Sequence, residues 1–329
     1  MTVKFLIIRF SSIGDIVLTT PVMRNLKKQV ENAEIHYLTK NQFSDIVLNN
    51  VYVDKVHVLQ NAFKETIRIL RNERFDYVID LHNNIRSARV KLNLKMLSFS
   101  FKKLNYQKWL LVKTKKNYLP DVHIVDRYMD TIRFFISEFD SKGLDYFIPA
   151  SDEIDIQTLP VPYHQGYLSW VIGAKHNTKK FPKSKIIEII NQINYPVIIL
   201  GGPDDFDDGR YIEKNTSGNV INACGRYNLN QSASLIRHSE TVISNDTGLM
   251  HIAAAFSKKI ISLWGNTVPE FGMYPYISEN HSIMIENKTL NCRPCSKIGF
   301  QKCPKKHFKC MNDLNNEKIV KSIHNFLQL

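Results

Sequence analysis

The chain has 329 residues, enough for two domains of ordinary size, and its 43 % hydrophobic and 23 % charged residues are the balance of a globular protein. No apolar run approaches the roughly 20 residues of a membrane-spanning helix, and the opening "MTVKFLIIRFSSIGD" carries too short an apolar core for a secretion signal; a cytoplasmic protein is expected. The formal net charge is +13, which favours anionic partners such as a nucleic acid, an anionic membrane surface or an acidic substrate.

In chain order, short β-branched runs alternate with amphipathic stretches. "KFLIIRF" (4–10) reads as a buried strand, "TTPVMRNLKKQV" (19–30) as a helix with proline near its start, and "EIHYL" (34–38) as a strand. A helix at 64–74, a strand at 76–81 and an amphipathic helix at 125–139 follow. Residues 148–165 hold Pro149, Pro160 and Pro162 and break the alternation, as a linker would. The pattern restarts with a strand at 166–174, a helix at 183–193, a strand at 195–202 and helices at 207–215 and 231–239. A strand at 241–244, a helix at 248–256, a strand at 259–265 and a terminal helix at 315–328 complete it. Such alternation builds parallel sheets covered on both faces. The expectation is two doubly wound α/β domains, 1–155 and 156–329.

Open α/β sheets bind ligands beyond the carboxyl ends of their strands, so unusual strand ends were taken as site candidates. "RFSSIGDIVLTTP" (9–21) offers Ser11, Gly14 and Asp15. A glycine and free amides there suit an anion or a sugar, and a carboxylate in a cleft can take a proton from a hydroxyl nucleophile. Asp15 as a helix cap explains the same residue more simply. "DLHNNIRSARV" (80–90) places Asp80, His82, Arg86 and Arg89 at another strand end. "GAKHNTKKFP" (173–182) puts Lys175, Lys179 and Lys180 before a helix, where the helix dipole disfavours cations unless an anion is bound. "GGPDDFDDG" (201–209) is acidic and suits hydroxyls or a base amine, or a capped helix start. "VISNDTGLMHIAAA" (242–255) sets Asp246, Thr247 and Gly248 at a helix N-terminus fit for a pyrophosphate. His251, one turn in, alone reads as a packed histidine. A Walker loop and a G-x-G-x-x-G fingerprint are both missing, which weakens a nicotinamide enzyme.

Two further features stand out. Residues 91–116 carry eight lysines and no acid, interleaved with Leu97, Phe99, Phe101, Trp109, Leu110 and Leu111. This reads as a solvated basic face or as a surface that meets lipid headgroups; nothing resembles a nucleic-acid module. "CRPCSKIGFQKCPKKHFKC" spaces Cys292, Cys295, Cys303 and Cys310 as C-x2-C-x7-C-x6-C, with His307 as a spare ligand. Structural zinc, disulfides and free thiols are all compatible with that spacing. Cys224 reads as a core residue.

Taken in this order, "IIRFSSIGDIVLTTPV", "DLHNNIRSA", "KKFP", "ILGGPDD", "ISNDTGLMHIAAA" and "SLWGNT" resemble glycosyltransferase family 9, the bacterial lipopolysaccharide heptosyltransferases. The resemblance spans residues 4 to 267, and the cysteine tail (291–311) also resembles one that many members carry. It implies a GT-B fold, two Rossmann-like domains facing across a cleft, with an acceptor-binding domain first and a nucleotide-sugar-binding domain second. It implies inverting, metal-independent transfer from an ADP-heptose-like donor to an anionic lipid-linked acceptor, at the inner face of the cytoplasmic membrane. Position by position, Asp15 becomes the general base and Lys179 the cation that neutralises the leaving diphosphate. Ser11, Gly14, Thr178, Lys180, Asp204, Asp246, Thr247, Gly248 and His251 become donor contacts, and Arg9, His82 and Arg86 acceptor contacts. Phe181 stands where many relatives have Trp. Two rivals from the residues alone are an epimerase-like nucleotide-sugar enzyme and a non-enzymatic binder of polyanions using 91–116.

Overall fold

In the computed structural model, which describes residues 2–277 and 281–328, the chain divides into two compact units. One comprises Met1–Lys103 and Val122–Phe147, the other Leu104–Asp121 and Ile148–Leu329. The segment 104–121 therefore lies with the second unit, although the sequence reading grouped it with the first.

The first unit is built on the β-branched runs. Its strands are β1 (Val3–Ile8), β2 (Ala33–Thr39), β3 (Lys55–Val58), β4 (Tyr77–Asp80) and β5 (Leu97–Ser100). All pair in parallel, in the order β3-β2-β1-β4-β5. Phe5, Leu6, Ile7 and Ile8 are fully buried, as a central strand covered on both faces requires. Two of these strands, β3 and β5, are edge strands of four residues and were not read from the sequence. The helix expected at 125–139 is shorter: it spans Ile124–Met129 and tightens into a 3-10 turn at Asp130–Ile132. Beyond it Phe135 packs against Phe5, Tyr77 and Phe99, covering the sheet.

The second unit has six parallel strands: β6 (Leu168–Val171), β7 (Val197–Leu200), β8 (Val220–Asn222), β9 (Thr241–Asn245), β10 (Lys259–Trp264) and β11 (Ser282–Glu286). Their order is β11-β10-β9-β6-β7-β8. Trp170 and Trp264 lie in its core, and the helix Asn316–Leu327 packs there through Ile319 and Ile323. The expected linker, 148–165, is a chain of three short 3-10 turns. In both units the strand order reverses between two central strands, β1 and β4 in the first, β6 and β9 in the second. Those switch points are where open α/β sheets leave a crevice for ligands.

Candidate active site

At the first switch point, β1 runs into the loop that carries Arg9, Ser11, Ser12 and Asp15. The helix Ile13–Val17 starts after Ser12, so Asp15 is not its cap but the third residue of its first turn. The Asp15 carboxylate reaches back: Oδ2 accepts from the Ser12 amide (3.1 Å) and hydroxyl (2.8 Å), and Oδ1 lies 2.6 Å from Arg9 Nη2. Burial alone raises the proton affinity of this carboxyl. Arg9 and the two Ser12 hydrogen bonds outweigh it and hold Asp15 below the usual carboxylate range. Arg9 is itself buried and donates to the Ser11 and Leu81 carbonyls and the Tyr128 hydroxyl. Expected as an acceptor contact, Arg9 is engaged inside its own unit and positions Asp15. Gly14 is buried beneath the same turn.

β4 ends at the neighbouring position. Asp80 is fully buried and accepts from the His82 and Asn83 amides and the Ser87 hydroxyl, with Lys91 Nζ 3.0 Å away. It organises the turn and is not open to a ligand, against the expectation that it projects into a cleft. Arg89 lies over the Phe63 ring, while Arg86 is exposed on the helix Ile85–Leu94. His82 packs edge-on against Phe10, and its buried Nδ1 has no hydrogen-bond partner among the described residues. Burial, then the charges of Arg9 and Lys103, push its pKa down to about 4, so the ring is neutral near pH 7. His82 thus presents an unspent nitrogen beside the Arg9–Asp15 pair.

At the second switch point, β6 leads into the loop of Lys179 and β9 into Asp246. Lys179 Nζ lies 2.6 Å from Asp246 Oδ2, which also accepts from the Thr267 hydroxyl at 2.9 Å. Thr247 caps the helix Gly248–Ala255 through the Leu249 amide (3.2 Å), leaving a helix N-terminus beside the lysine. His251 is buried one turn in. Asn245, also buried, fastens this arrangement: Nδ2 donates to the Ile172 carbonyl at the end of β6, and Oδ1 accepts from the Phe181 amide. Thr178 and Lys180 both have partners within the second unit. Thr178 is buried, bonded to the Phe300 backbone and Asn266. Lys180 pairs with Asp205 at 2.6 Å, and Asp205 also accepts from the Gly202 amide. This close seat requires glycine at position 201, where a Cβ would lie 2.8 Å from that of Asp205. Asp204, at the same turn, is exposed.

All five cysteines are free. Among the described residues, the tail thiols and His307 offer no group of three ligand atoms within reach of one ion, and the Cys292–His307 contact is 3.8 Å. Cys310 sits in the apolar core, where burial pushes its thiol up to about 12. Arg293, between the first two cysteines, does the positioning. It is buried and donates to the carbonyls of Gly265 (2.5 Å), Thr267 (2.9 Å) and Asn287 (2.7 Å), and pairs with Glu286. Cys295 adds its amide to the Asn266 carbonyl. The tail therefore braces the loop that brings Thr267 to Asp246. Asn245 and Thr267 stand inside motifs already quoted, but Arg293 had no signal beyond its place between cysteines.

The profile of glycosyltransferase family 9 (heptosyltransferase) matches residues 64–306. The chain is 23 % identical to lipopolysaccharide heptosyltransferase 1 of Campylobacter coli, over 97 % of this chain and 98 % of that protein. It is 26 % identical to lipooligosaccharide heptosyltransferase 2 of Haemophilus influenzae, over 90 % and 93 % respectively. Among solved structures, a family 9 glycosyl transferase from Veillonella parvula superposes with a TM-score of 0.78 at 19 % identity, covering 99 % of this chain and 97 % of that one. The E. coli ADP-heptose heptosyltransferase II superposes at 0.74 and 18 % identity, covering 99 % and 98 %. These likenesses establish the GT-B class of the fold. With the profile covering most of its length, the chain belongs to glycosyltransferase family 9 and is a glycosyltransferase.

Proposed function

We propose that the protein moves a heptose, or a similar sugar, from an ADP-sugar to a lipopolysaccharide-core or other lipid-linked acceptor, with inversion at the anomeric carbon. The observation that carries this reading is Lys179 at the N-terminus of the helix Gly248–Ala255. A cation beside free helix amides is a seat for a diphosphate. Asp246 holds that seat in the structure, and the arriving diphosphate takes Lys179 from it. Asp246 is then left to Thr267 and to sugar or ribose hydroxyls. Thr247, Gly248 and His251 belong to the same donor site. Another solved structure with this fold, the E. coli heptosyltransferase WaaC, was determined with ADP, which supports an adenine nucleotide as the donor's leaving group.

The first unit supplies the acceptor side. Asp15, kept ionised by Arg9, takes the proton of the acceptor hydroxyl, and the neutral His82 and exposed Arg86 bind the acceptor. Membrane attachment is peripheral, through the basic stretch 91–116. Phe101 and Leu111 of that stretch are core residues, but Leu97 is 63 % and Trp109 49 % exposed among the lysines. Among the described residues no helix is long and apolar enough to cross a membrane.

The test is calorimetry with ADP and ADP-sugars. ADP is expected to bind, and Lys179→Ala to weaken it by roughly tenfold or more, the loss of a charge-assisted contact of about 1.5–3 kcal/mol. Unchanged affinity removes Lys179 from the site. Turnover of the donor with no acceptor present favours the epimerase-like rival.

A further inference from the structure

Away from both switch points, three elements of the first unit converge on a buried cluster of nitrogen and carboxylate groups. His36 of β2 is fully buried and His57 of β3 nearly so. His36 Nδ1 lies 2.8 Å from His57 Nε2. Glu73, the last residue of the helix Phe63–Glu73, brings its Oε1 to 4.0 Å from His57 Nε2. The three ligand atoms all fall within 4.8 Å of one another. Behind His36, the Glu34 carboxylate accepts from Nε2 at 2.6 Å.

That last contact decides the chemistry. With the Nε2 proton of the His36 imidazole held by Glu34, the Nδ1 lone pair points into the cluster. A carboxylate holding the far nitrogen of an imidazole is the arrangement that orients histidine ligands and raises their basicity. Phe75 packs edge-on against both rings and fixes their planes. Packing alone does not call for two imidazoles and two carboxylates here, because buried polar groups cost stability unless they are bonded. A cavity of about 280 Å³, lined by His57, Val58, Thr66 and Leu70 among others, opens beside His57 and gives an ion a way in.

We infer that His36 Nδ1, His57 Nε2 and Glu73 Oε1 form a site for a divalent transition metal of the zinc class. Two imidazoles and one carboxylate suit zinc, cobalt and nickel over magnesium or calcium. On binding, the proton now shared between the rings moves to His57 Nδ1, and both imidazoles stay neutral. Lys55, which pairs with Glu73 at 2.6 Å and is half exposed, swings out to solvent. The site stands apart from the transfer reaction and does not depend on it. Its role is to tie the edge strand β3 to β2 and to the helix Phe63–Glu73.

The experiment is titration of chelator-treated, untagged protein with Co(II), followed by visible absorption. It uses a Cys292→Ser/Cys295→Ser background so that tail thiols do not compete. One Co(II) per chain, ligand-field bands without thiolate charge transfer, and displacement by Zn(II) are expected. Glu73→Gln and His57→Ala are each expected to weaken binding at least tenfold, and Glu34→Gln about tenfold through His36. Zn(II) is expected to raise the melting temperature of the parent protein but not of Glu73→Gln. No Co(II) uptake, or uptake of equal affinity in Glu73→Gln, overturns the site. Should His57→Ala fail to fold, Glu73→Gln decides alone, since Glu73 lies at a helix end.

Discussion

Asp15, which we propose as the catalytic base, must be ionised before it can accept a proton, and its neighbours favour that form. Arg9 and Ser12 lower its pKa against the opposing pull of burial. The sign follows: a carboxyl depressed in the fold stabilises it above the unfolded pKa, and that contribution is lost as pH falls through the folded value. Activity that needs the ionised form therefore extends to lower pH than an ordinary aspartate allows. Arg9→Gln is expected to move the acid limb of kcat/KM upward, since it removes the lowering charge; a limb that stays in place separates Arg9 from the base. Asp15→Asn is expected to cut kcat by ~10²–10⁴, the usual worth of general-base catalysis, while ADP affinity measured by calorimetry is unchanged. At this scale the sequence was informative where chemistry is local. Asp15, Lys179 and Asp246 stand out by type and by strand-end position. Arg9, Thr178 and Lys180 bond to carbonyls and carboxylates of their own units, partners that only the three-dimensional structure reveals.

Among elements, the tail was the least legible. Its cysteine spacing leaves zinc, disulfides and free thiols open, and the residue that matters for the candidate site is the arginine between them. Arg293 satisfies four backbone carbonyls, those of Gly265, Asn287, Trp264 and Thr267, and pairs with Glu286 from a buried position. Leaving those carbonyls unpaired costs the full desolvation penalty of each. Arg293→Lys, which cannot reach as many acceptors, is expected to lower stability by about 2 kcal/mol. It is also expected to weaken ADP binding by letting Thr267 drift from Asp246. Denaturant melts and calorimetry on the same variant read both effects, and loss of stability with ADP affinity intact confines Arg293 to a structural role. Strand and helix runs of the interior were legible because both faces of a parallel sheet are apolar. Short edge strands such as β3 and β5, with only partly buried residues, carry no comparable pattern. His36 and His57 went unremarked for a related reason: 21 residues of chain separate them, and only sheet pairing makes them neighbours.

For the whole molecule, charge sets the expected partner. A net charge of +13 favours anionic surfaces by about 1 kcal/mol for each lysine near a membrane. Lys113→Gln/Lys116→Gln, both exposed on or just past the helix Asn105–Thr114, is expected to weaken sedimentation with phosphatidylglycerol vesicles by roughly tenfold or more at low salt. Equal binding of parent and variant places the contact elsewhere. The division of the chain has a consequence of its own. Helix Asn105–Thr114 belongs to the second unit, where Leu111 packs with Val268 and Phe271 and Lys115 donates to the Cys292 and Pro294 carbonyls. The backbone therefore passes from one unit to the other near residues 103, 121 and 147. No single break in the polypeptide releases either unit intact. A fragment starting after the proline-bearing stretch lacks the helix that covers Val268 and Phe271, so the two halves are inherited, synthesised and folded as one interlaced chain.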